Sequence, residues 1–304
     1  MSAPAPHRGT PKAEVEIDVP LVQALLKDQH PDLADLPLTP VDAGWDNVMM
    51  RLGDDLAVRL PRRSLCAELV RFEQKWLPEL APRLPLPVPT PIRTGRPGNN
   101  YPWYWSVVPW LDGVPADQSS LRADQALPLV EFLKALHQPA PMDAPRNPYR
   151  GVPLTTRQEM IEDGMRQLKE ETVLITPAIE AIWQAALRAP IDSPPTWVHG
   201  DLHGRNVLTK DGAISGIIDW GDMNRGDRAS DLACLWTLLE DRHARADAIS
   251  AYRVPGSTLW TRAKGWAVMY GVVLSYAGRV DDPIHARSGE AILRRLEEDF
   301  DGDE

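Results

Sequence analysis

The spacing of apolar and polar residues in the first third of the chain predicts strands together with two helices. Asp18-Val19-Pro20 is typical of a helix start, because an aspartate caps backbone N–H groups and proline fits the first turn. Gly53-Asp54-Asp55 separates two extended runs and indicates a tight turn. Apolar residues repeat at helical spacing up to Leu80, before a proline-rich stretch. The predicted elements are helices over residues 21–27 and 67–80, a hairpin within residues 41–60 and a strand over residues 104–110.

The remainder of the chain has mostly helical periodicity. Its predicted helices cover residues 125–137, 156–169, 177–189, 227–240, 259–278 and 286–299. A second hairpin is predicted where two apolar runs, residues 207–209 and 214–219, flank Lys210-Asp211-Gly212. Strands that precede helices in this way predict an α+β protein. The expected division is a disordered tail over residues 1–14, a β-rich lobe over residues 15–111 and a larger, mostly helical lobe over residues 112–304.

Composition and charge narrow the class of protein. The chain has 304 residues, of which 43% are hydrophobic and 25% charged, as is typical of a globular protein. No apolar run approaches the roughly 20 residues that cross a bilayer, and the N-terminus lacks the apolar core of a signal peptide. Two cysteines are too few for a disulfide framework, so we expect a cytoplasmic protein without a membrane partner. The net charge of −10 argues against a nucleic-acid partner and mildly favours a cationic one.

Three polar residues carry the candidate chemistry. Asp201 and Asn206 stand five residues apart, and Asp219 follows the apolar run of the second hairpin. Phosphoryl transfer from a nucleotide needs one carboxylate beside the attacking hydroxyl, and an amide and a second carboxylate that hold Mg²⁺. The order and spacing match the kinase pattern Asp-x-x-x-x-Asn followed by Asp-aromatic-Gly. The sequence therefore predicts a kinase for small molecules, in which Asp201 accepts the hydroxyl proton.

Residues around these three leave alternatives open. His199 and His203 flank Asp201 in a His-x-Asp-x-His pattern that suits a metal hydrolase, although no cysteine or further histidine lies nearby in sequence to complete a zinc site. The role expected of His199 is to brace the loop, and His203 has no assigned role. Asp231 begins an apolar helical segment, so it either caps that helix or supports the Asp201 segment from a buried position.

These motifs resemble those of the aminoglycoside phosphotransferase family. The match is strongest in residues 197–236, which contain His-Gly-Asp-Leu-His-x-x-Asn, Ile-Ile-Asp-Trp-Gly and Gly-Asp-x-x-x-Asp-Leu-Ala. Weaker similarity extends over most of the chain. The family is related to choline kinases and has a protein-kinase-like fold, so the resemblance implies a bilobal fold of that kind. It also implies that Asp201 is the catalytic aspartate and that Asn206 and Asp219 are Mg²⁺ ligands.

The β-rich lobe departs from the protein-kinase pattern at the expected nucleotide site. It has no Gly-x-Gly-x-x-Gly; the corresponding stretch carries Asn47, which either contacts phosphates or belongs to a plain hairpin. Arg59 stands where the resemblance places a phosphate-binding lysine, and its planar fork suits phosphate oxygens. The alternative is an ordinary surface arginine. By the same resemblance its partner is a helix glutamate, for which we choose Glu73 over Glu68, with an exposed helix acid as the alternative for either.

The strand that ends in Pro109-Trp110-Leu111 resembles the hinge between the two lobes of this family. The resemblance implies that backbone groups of Pro109, Trp110 and Leu111 hydrogen-bond the purine of the phosphate donor. Backbone contacts leave little sequence signature, so the donor is ATP or GTP. A strand that simply enters a turn is the alternative.

The acceptor region has the weakest resemblance. Acidic residues gather at three places, residues 240–241, 281–282 and 297–304. They form either a surface that attracts a polyamine sugar or an ordinary solvated surface. Trp236, Trp260 and Trp266 belong either to the core or to an apolar pocket suited to a macrolide. The first hypothesis is therefore an Mg²⁺-dependent O-phosphotransferase acting on an aminoglycoside-like acceptor, with a macrolide or metabolite kinase and a non-catalytic nucleotide-binding protein as alternatives.

Overall fold

The computed structural model describes residues 12–43, 46–254 and 258–300, and these form two compact units. Within the described residues, one unit comprises the chain up to Arg83 together with Pro87–Asp112, and the other comprises Leu84–Leu86 and the chain from Gly113 onward. Most of the expected disordered tail lies outside the described residues, as do residues 44 and 45 of the predicted hairpin and the last four of the acidic C-terminus. None of the described helices is long and apolar enough to span a membrane.

The first unit is a five-stranded antiparallel sheet with two helices. Its strands are β1 (Leu38–Ala43), β2 (Asn47–Leu52), β3 (Leu56–Pro61), β4 (Arg93–Gly95) and β5 (Trp105–Pro109), in the order β1-β2-β3-β5-β4. Its helices are α1 (Val19–Gln29) and α2 (Ser64–Leu80). The predicted hairpin is present as β2 and β3, and the predicted cap is present because Asp18 accepts the N–H of Leu21 at 2.9 Å.

The core of the β-rich unit lies between the sheet and α1. It contains the fully buried Leu25 and Leu26 of the helix together with Val58, Leu60 and Trp105 of the sheet. Burial of five large apolar side chains contributes roughly 1.5–3 kcal/mol for each. This packing holds β3, which carries Arg59, at the centre of the sheet.

The second unit is mostly helical, with one two-stranded and one three-stranded sheet of short strands. Its strands are β6 (Val114–Pro115), β7 (Thr196–Val198), β8 (Val207–Lys210), β9 (Ala213–Ile217) and β10 (Asn224–Gly226). Its helices are α3 (Ala126–Leu136), α4 (Gln158–Glu171), α5 (Pro177–Arg188), α6 (Ala229–Leu232), α7 (Cys234–Leu238), α8 (Arg242–Tyr252), α9 (Leu259–Asp281) and α10 (Pro283–Glu298). α9 packs against α4, α5, α6, α7 and α10, and Trp236 and Trp266 are fully buried core residues.

Two details of this unit differ from the prediction. The segment expected as one helix over residues 227–240 forms the short helices α6 and α7, and α8 was not predicted. α8 begins where Asp241 accepts the N–H of Ala244 at 2.8 Å, and its two fully buried residues are Arg245 and Ala248. An apolar pattern cannot detect a helix whose buried face carries a charged side chain.

Candidate active site

Two segments of the helical unit carry the candidate residues, and a glycine brings them together. The chain between β7 and β8, residues 199–206, is a loop that we call the Asp201 loop. After β9, residues 219–222 form a second bend that we call the acidic turn. Gly200 has a φ of +89°, and a Cβ there would lie 2.7 Å from the carbonyl oxygen of Asp222. Glycine is required because it accepts both this conformation and this close approach of backbone.

The carboxylate of Asp201 is surrounded by cationic and amide groups. Asn206 Nδ2 donates to the main-chain oxygen of Asp201 at 2.9 Å and to its Oδ2 at 3.1 Å. His203 Nε2 lies 3.4 Å from the same Oδ2. Arg150 Nη2 lies 2.6 Å from Oδ1, as an ion pair without the alignment of a hydrogen bond. The predicted partners Asp201 and Asn206 are therefore in direct contact.

The charge around Asp201 keeps its carboxylate ionised. Burial by itself raises the pKa of Asp201, but the positive charge of Arg150, aided by His203, outweighs it and lowers the pKa well below the usual value. Such a group is a weak base in the resting protein. It can nonetheless orient a hydroxyl group by accepting its hydrogen bond.

His199 is held inside the protein by both ring nitrogens. Its Nδ1 accepts the N–H of Asp201 at 3.2 Å, and its Nε2 lies 3.0 Å from the carbonyl oxygen of Ile218. The buried ring also packs against Trp220, with 4.8 Å between centroids. Because both nitrogens have partners, this side chain is poorly placed to bind zinc.

Asp231 lies beneath the Asp201 loop. It sits inside α6 rather than at its start, and its fully buried carboxylate accepts the N–H groups of His199 at 2.7 Å and Gly200 at 2.8 Å. His137 Nε2 lies 3.2 Å away, and the hydroxyl of Tyr252 lies 2.7 Å from the other nitrogen of that ring. Of the two roles left open by the sequence, these contacts correspond to support of the loop and not to a helix cap.

Asp219 lies in the acidic turn with its side chain exposed. The strand expected to reach Asp219 ends two residues earlier, at Ile217, and Asp219 itself has a φ of +59°. The following Trp220 is fully buried, and its Nε1 donates to the carbonyl oxygen of Ile217 at 3.0 Å. The aromatic residue of the motif thus anchors the bend and leaves the preceding carboxylate at the surface of the unit.

The residues present fit a magnesium ion. The Asn206 amide nitrogen is used by Asp201, and its oxygen accepts no hydrogen bond within the described ranges. The pKa of Asp222 is raised mainly by burial and also by the negative charges of Asp201 and Asp219, so the acidic turn has an excess of negative charge. Across the described residues, no three His, Cys, Asp or Glu side chains are arranged to hold a metal. That is compatible with Mg²⁺, which usually takes one or two carboxylates and completes its shell with water and phosphate oxygens.

In the β-rich unit, the residues expected to bind nucleotide phosphates also lie together. Arg59 Nη1 donates to Glu73 Oε2, and both side chains are buried. With its side-chain oxygen turned toward the guanidinium, Asn47 accepts from Arg59 Nη2 at 2.9 Å. Glu68, the rejected partner, is exposed and lies 3.4 Å from Arg71. The sequence left open that Arg59 is a surface arginine and that its partner is an exposed helix acid. Neither description fits this buried pair.

The segment expected as the hinge follows β5 and has one of its N–H groups in use. Pro109 has no N–H, and the N–H of Trp110 donates to the carbonyl oxygen of Asp55 at 2.7 Å. The N–H of Trp110 is therefore used within the β-rich unit, and the expected contact of these backbone groups with a purine stays a prediction. The N–H of Leu111 forms no hydrogen bond within the described part of the chain.

Comparison with known proteins decides the family. The family model described as "Phosphotransferase enzyme family" matches residues 37–266. That segment covers most of the chain and contains every candidate residue named above. The chain belongs to this phosphotransferase family.

The individual proteins that this chain resembles match it over a short segment or at low sequence identity. An aminoglycoside 3'-phosphotransferase from Escherichia coli is 40% identical over 63 residues, which are 20% of this chain and 23% of the relative. The structure of a GDP complex of aminoglycoside 2'-phosphotransferase-IIIa has a TM-score of 0.63 at 19% identity, and covers 92% of this chain and 98% of that one. Macrolide 2'-phosphotransferase MphH from Brachybacterium faecium has a TM-score of 0.56 at 21% identity, with 94% and 99% covered. The expected α+β, kinase-like fold class is confirmed.

Several residues around the phosphotransferase site had not been predicted. Arg150 Nε donates to Asp222 Oδ2 at 3.1 Å, so Arg150 bridges Asp222 and Asp201. Asn147 Nδ2 donates to Asp222 Oδ1 at 2.7 Å. The ring of Tyr270 lies beneath the guanidinium of Arg150 at 5.5 Å. Asp222 follows the Asp-Trp-Gly motif closely enough to be a candidate, whereas the other three come from distant segments with no sequence signal.

Proposed function

We propose that this chain is an Mg²⁺-dependent O-phosphotransferase that moves the γ-phosphate of ATP or GTP to a hydroxyl group of a small molecule. The observation that carries the proposal is the direct contact of Asp201 with Asn206, beside an acidic turn that carries Asp219. Asp201 orients the acceptor hydroxyl and takes its proton as the new bond to phosphorus forms and the bond from the γ-phosphorus to the leaving nucleoside diphosphate breaks. Asn206 and Asp219 hold Mg²⁺, which neutralises charge on the phosphate oxygens.

The remaining residues have supporting roles in this proposal. Arg59 contacts the phosphates of the donor, and Glu73 and Asn47 fix the direction of its guanidinium. The backbone of Leu111 is the hinge group that meets the purine. His199 and Asp231 hold the Asp201 loop through hydrogen bonds to its backbone and to Ile218. The expected cytoplasmic location stays a prediction.

Two classes of acceptor compete. An aminoglycoside-like acceptor has the support of the relatives, several of which are named aminoglycoside phosphotransferases. A metabolite acceptor has the support of the charges in this chain, because arginines line the groove beside Asp201. The core of the proposal, phosphoryl transfer to a hydroxyl, is common to both.

A nucleotide-consumption assay with acceptor panels tests the proposal. ATP and GTP are supplied separately with Mg²⁺, and the acceptors are aminoglycosides, macrolides and hydroxylated metabolites. We expect acceptor-dependent consumption that is lost in Asp201→Ala. Nucleotide binding by calorimetry without consumption in any panel would instead support the non-catalytic alternative.

A further inference from the structure

A groove runs beside the Asp201 site in the helical unit. Its volume is about 240 Å³, and it is lined by three segments: residues 146–153, residues 191–195 and the end of β10 with Asp227. The charged side chains in its lining are Arg146, Arg150, Arg225 and Asp227. Since Arg150 also contacts Asp201 at 2.6 Å, one residue of the groove lining touches the proposed catalytic carboxylate.

Close backbone packing builds this groove. Gly151 has a φ of +64°, and a Cβ there would lie 2.9 Å from the Cα of Gly226. The N–H of Asp227 donates to the carbonyl oxygen of Gly151 at 2.8 Å, and the N–H of Arg225 donates to that of Pro145 at 2.9 Å. Two glycines therefore allow the segment that carries Arg150 to lie against the strand that carries Arg225. The positions of the arginines follow from the backbone and precede any ligand.

The charges of the lining do not cancel. Asp227 is already paired, because Arg262 Nε donates to it at 2.7 Å. Arg150 is shared between Asp201 and Asp222.

Arg146 and Arg225 are different, because neither forms an ion pair with any residue in the described ranges; Arg225 is half-buried and Arg146 is exposed at the mouth of the groove. The Nε of Arg225 is buried without a hydrogen-bond partner. Nearby, burial and the positive charge of Arg150 lower the pKa of Arg157. A buried guanidinium donor without a partner leaves hydrogen-bonding capacity for a ligand oxygen.

We propose that this groove binds an anionic oxygen group, a phosphate or a carboxylate, of the phosphotransferase's acceptor. Arg146 and Arg225 donate to the anion, and Arg150 joins the groove to the carboxylate that orients the acceptor hydroxyl. The acceptor class is then a hydroxylated small molecule with a negative charge. A polyamine sugar in the same groove would face two unpaired arginines, which disfavours it. The identification of the bound anion as part of the acceptor rests on the proposed function. The existence of the anion site does not.

Calorimetric titration with two probes, inorganic phosphate and malonate, tests the anion site. The full chain is saturated with Mg²⁺ and ADP so that the nucleotide site is filled. The variants are Arg146→Gln, Arg225→Gln and both together, and the control is Arg188→Gln, which removes an exposed arginine outside the groove. We expect at least tenfold weaker binding of one or both probes in the double variant and no change in the control. Equal affinity in the wild type and the double variant overturns the site.

Matched acceptors separate this inference from the proposed function. Glucose, glucose 6-phosphate and gluconate share the hydroxyl groups at C2, C3 and C4 and differ in anionic group, and kanamycin is a polycation. We expect a KM at least tenfold lower for a charged sugar than for glucose, and an advantage that disappears in Arg146→Gln/Arg225→Gln. Turnover of kanamycin with a KM unchanged by the double variant overturns the anionic acceptor and leaves the phosphotransferase intact. Probe binding that depends on the arginines, without turnover of any acceptor, leaves the anion site and overturns the phosphotransferase.

Discussion

Each of the two units places an arginine against a carboxylate, but the two arrangements differ. In the β-rich unit, Arg59 pairs with Glu73 where both side chains are buried. In the helical unit, Arg150 is about one-quarter exposed and stands between Asp201 and Asp222. The first arrangement matches one cation with one carboxylate, whereas the second has one cation for two carboxylates.

This difference in burial and charge balance means that the same kind of contact has different consequences in the two units. A buried matched pair fixes geometry, and removing one partner leaves an uncompensated charge with a large cost in stability. A partly exposed cluster with excess negative charge costs less to disturb, because water compensates the remaining charge. Its members can therefore change partners when a metal, a nucleotide or an acceptor binds. We expect substitutions in the β-rich pair to lower stability in addition to any effect on donor binding, and those in the helical cluster to affect turnover with little loss of stability.

Asp201→Ala should have the largest effect. We expect kcat to fall by about 10²–10⁴-fold, which is the usual contribution of a general base, while nucleotide affinity changes by less than about threefold. Steady-state kinetics and calorimetry measure the two quantities. Arg150 keeps its partner Asp222 in this variant, so the melting temperature should stay close to that of the wild type. Comparable turnover in the variant would remove Asp201 from its proposed role.

Glu73→Ala should have the largest effect on stability. It leaves Arg59 buried without its carboxylate, so we expect the free energy of unfolding to fall by about 3–5 kcal/mol. Urea denaturation measures this loss. The matched control is Glu68→Ala on the same helix, where the carboxylate is exposed and the expected change is below about 1 kcal/mol. Equal losses in the two variants would contradict the choice of Glu73.

Arg150→Gln should lower turnover more than stability. Because the bridge between Asp201 and Asp222 is lost, we expect kcat to fall about tenfold, with a change in unfolding free energy of about 1 kcal/mol. Arg166→Gln, in an exposed pair with Asp163, is the control and should change neither. A loss of stability in Arg150→Gln as large as that expected for Glu73→Ala would contradict the proposed difference between the two clusters.

A third cluster gives a reference away from the candidate chemistry. Asp299 accepts from Arg245 Nε at 2.7 Å and from Trp236 Nε1 at 3.0 Å. Burial raises the pKa of Asp299, but these hydrogen bonds and the charge of Arg245 lower it below 3.8. A lowered folded pKa means that this stability is complete above the unfolded pKa and is lost as pH falls through the folded one.

Asp299→Asn should therefore lower the free energy of unfolding by about 1–2 kcal/mol at pH 7, with a smaller difference from the wild type at pH 3. Turnover of any acceptor should be unchanged. Thermal unfolding at the two pH values measures the effect. A difference that grows toward pH 3 would have the wrong sign for a carboxylate with a lowered pKa.

Local sequence patterns predicted the parts of the fold in which neighbours in sequence interact. The β2–β3 hairpin, the cap at Asp18 and the contact of Asp201 with Asn206 all involve residues close in the chain. The predicted end of the strand before Asp219 was wrong. The strand ends at Ile217, because the chain bends there to bury Trp220. Helix α8 was not predicted because Arg245 is buried at a position where the helical pattern requires an apolar residue.

The rest of the site depends on contacts between distant segments. Arg150 reaches Asp201 and Asp222 only because Gly200 and Gly151 permit close approaches of backbone. Nothing in a sequence spacing records such an approach. Asp201, Asn206 and Asp219 could therefore be predicted from their sequence motif. The arginines around them could be identified only from the folded structure.

In the proposed function, Asp219 and Asn206 together bind the metal of a metal–nucleotide complex. The most direct test is calorimetric titration of Mg²⁺–ATP and Mg²⁺–GTP into the wild type, Asp219→Ala and Asp211→Ala. Asp211 is a matched control because it is also an exposed aspartate with a positive φ, +53° against +59° for Asp219. We predict at least tenfold weaker binding in Asp219→Ala and unchanged binding in Asp211→Ala. Equal affinity in all three proteins would contradict the claim.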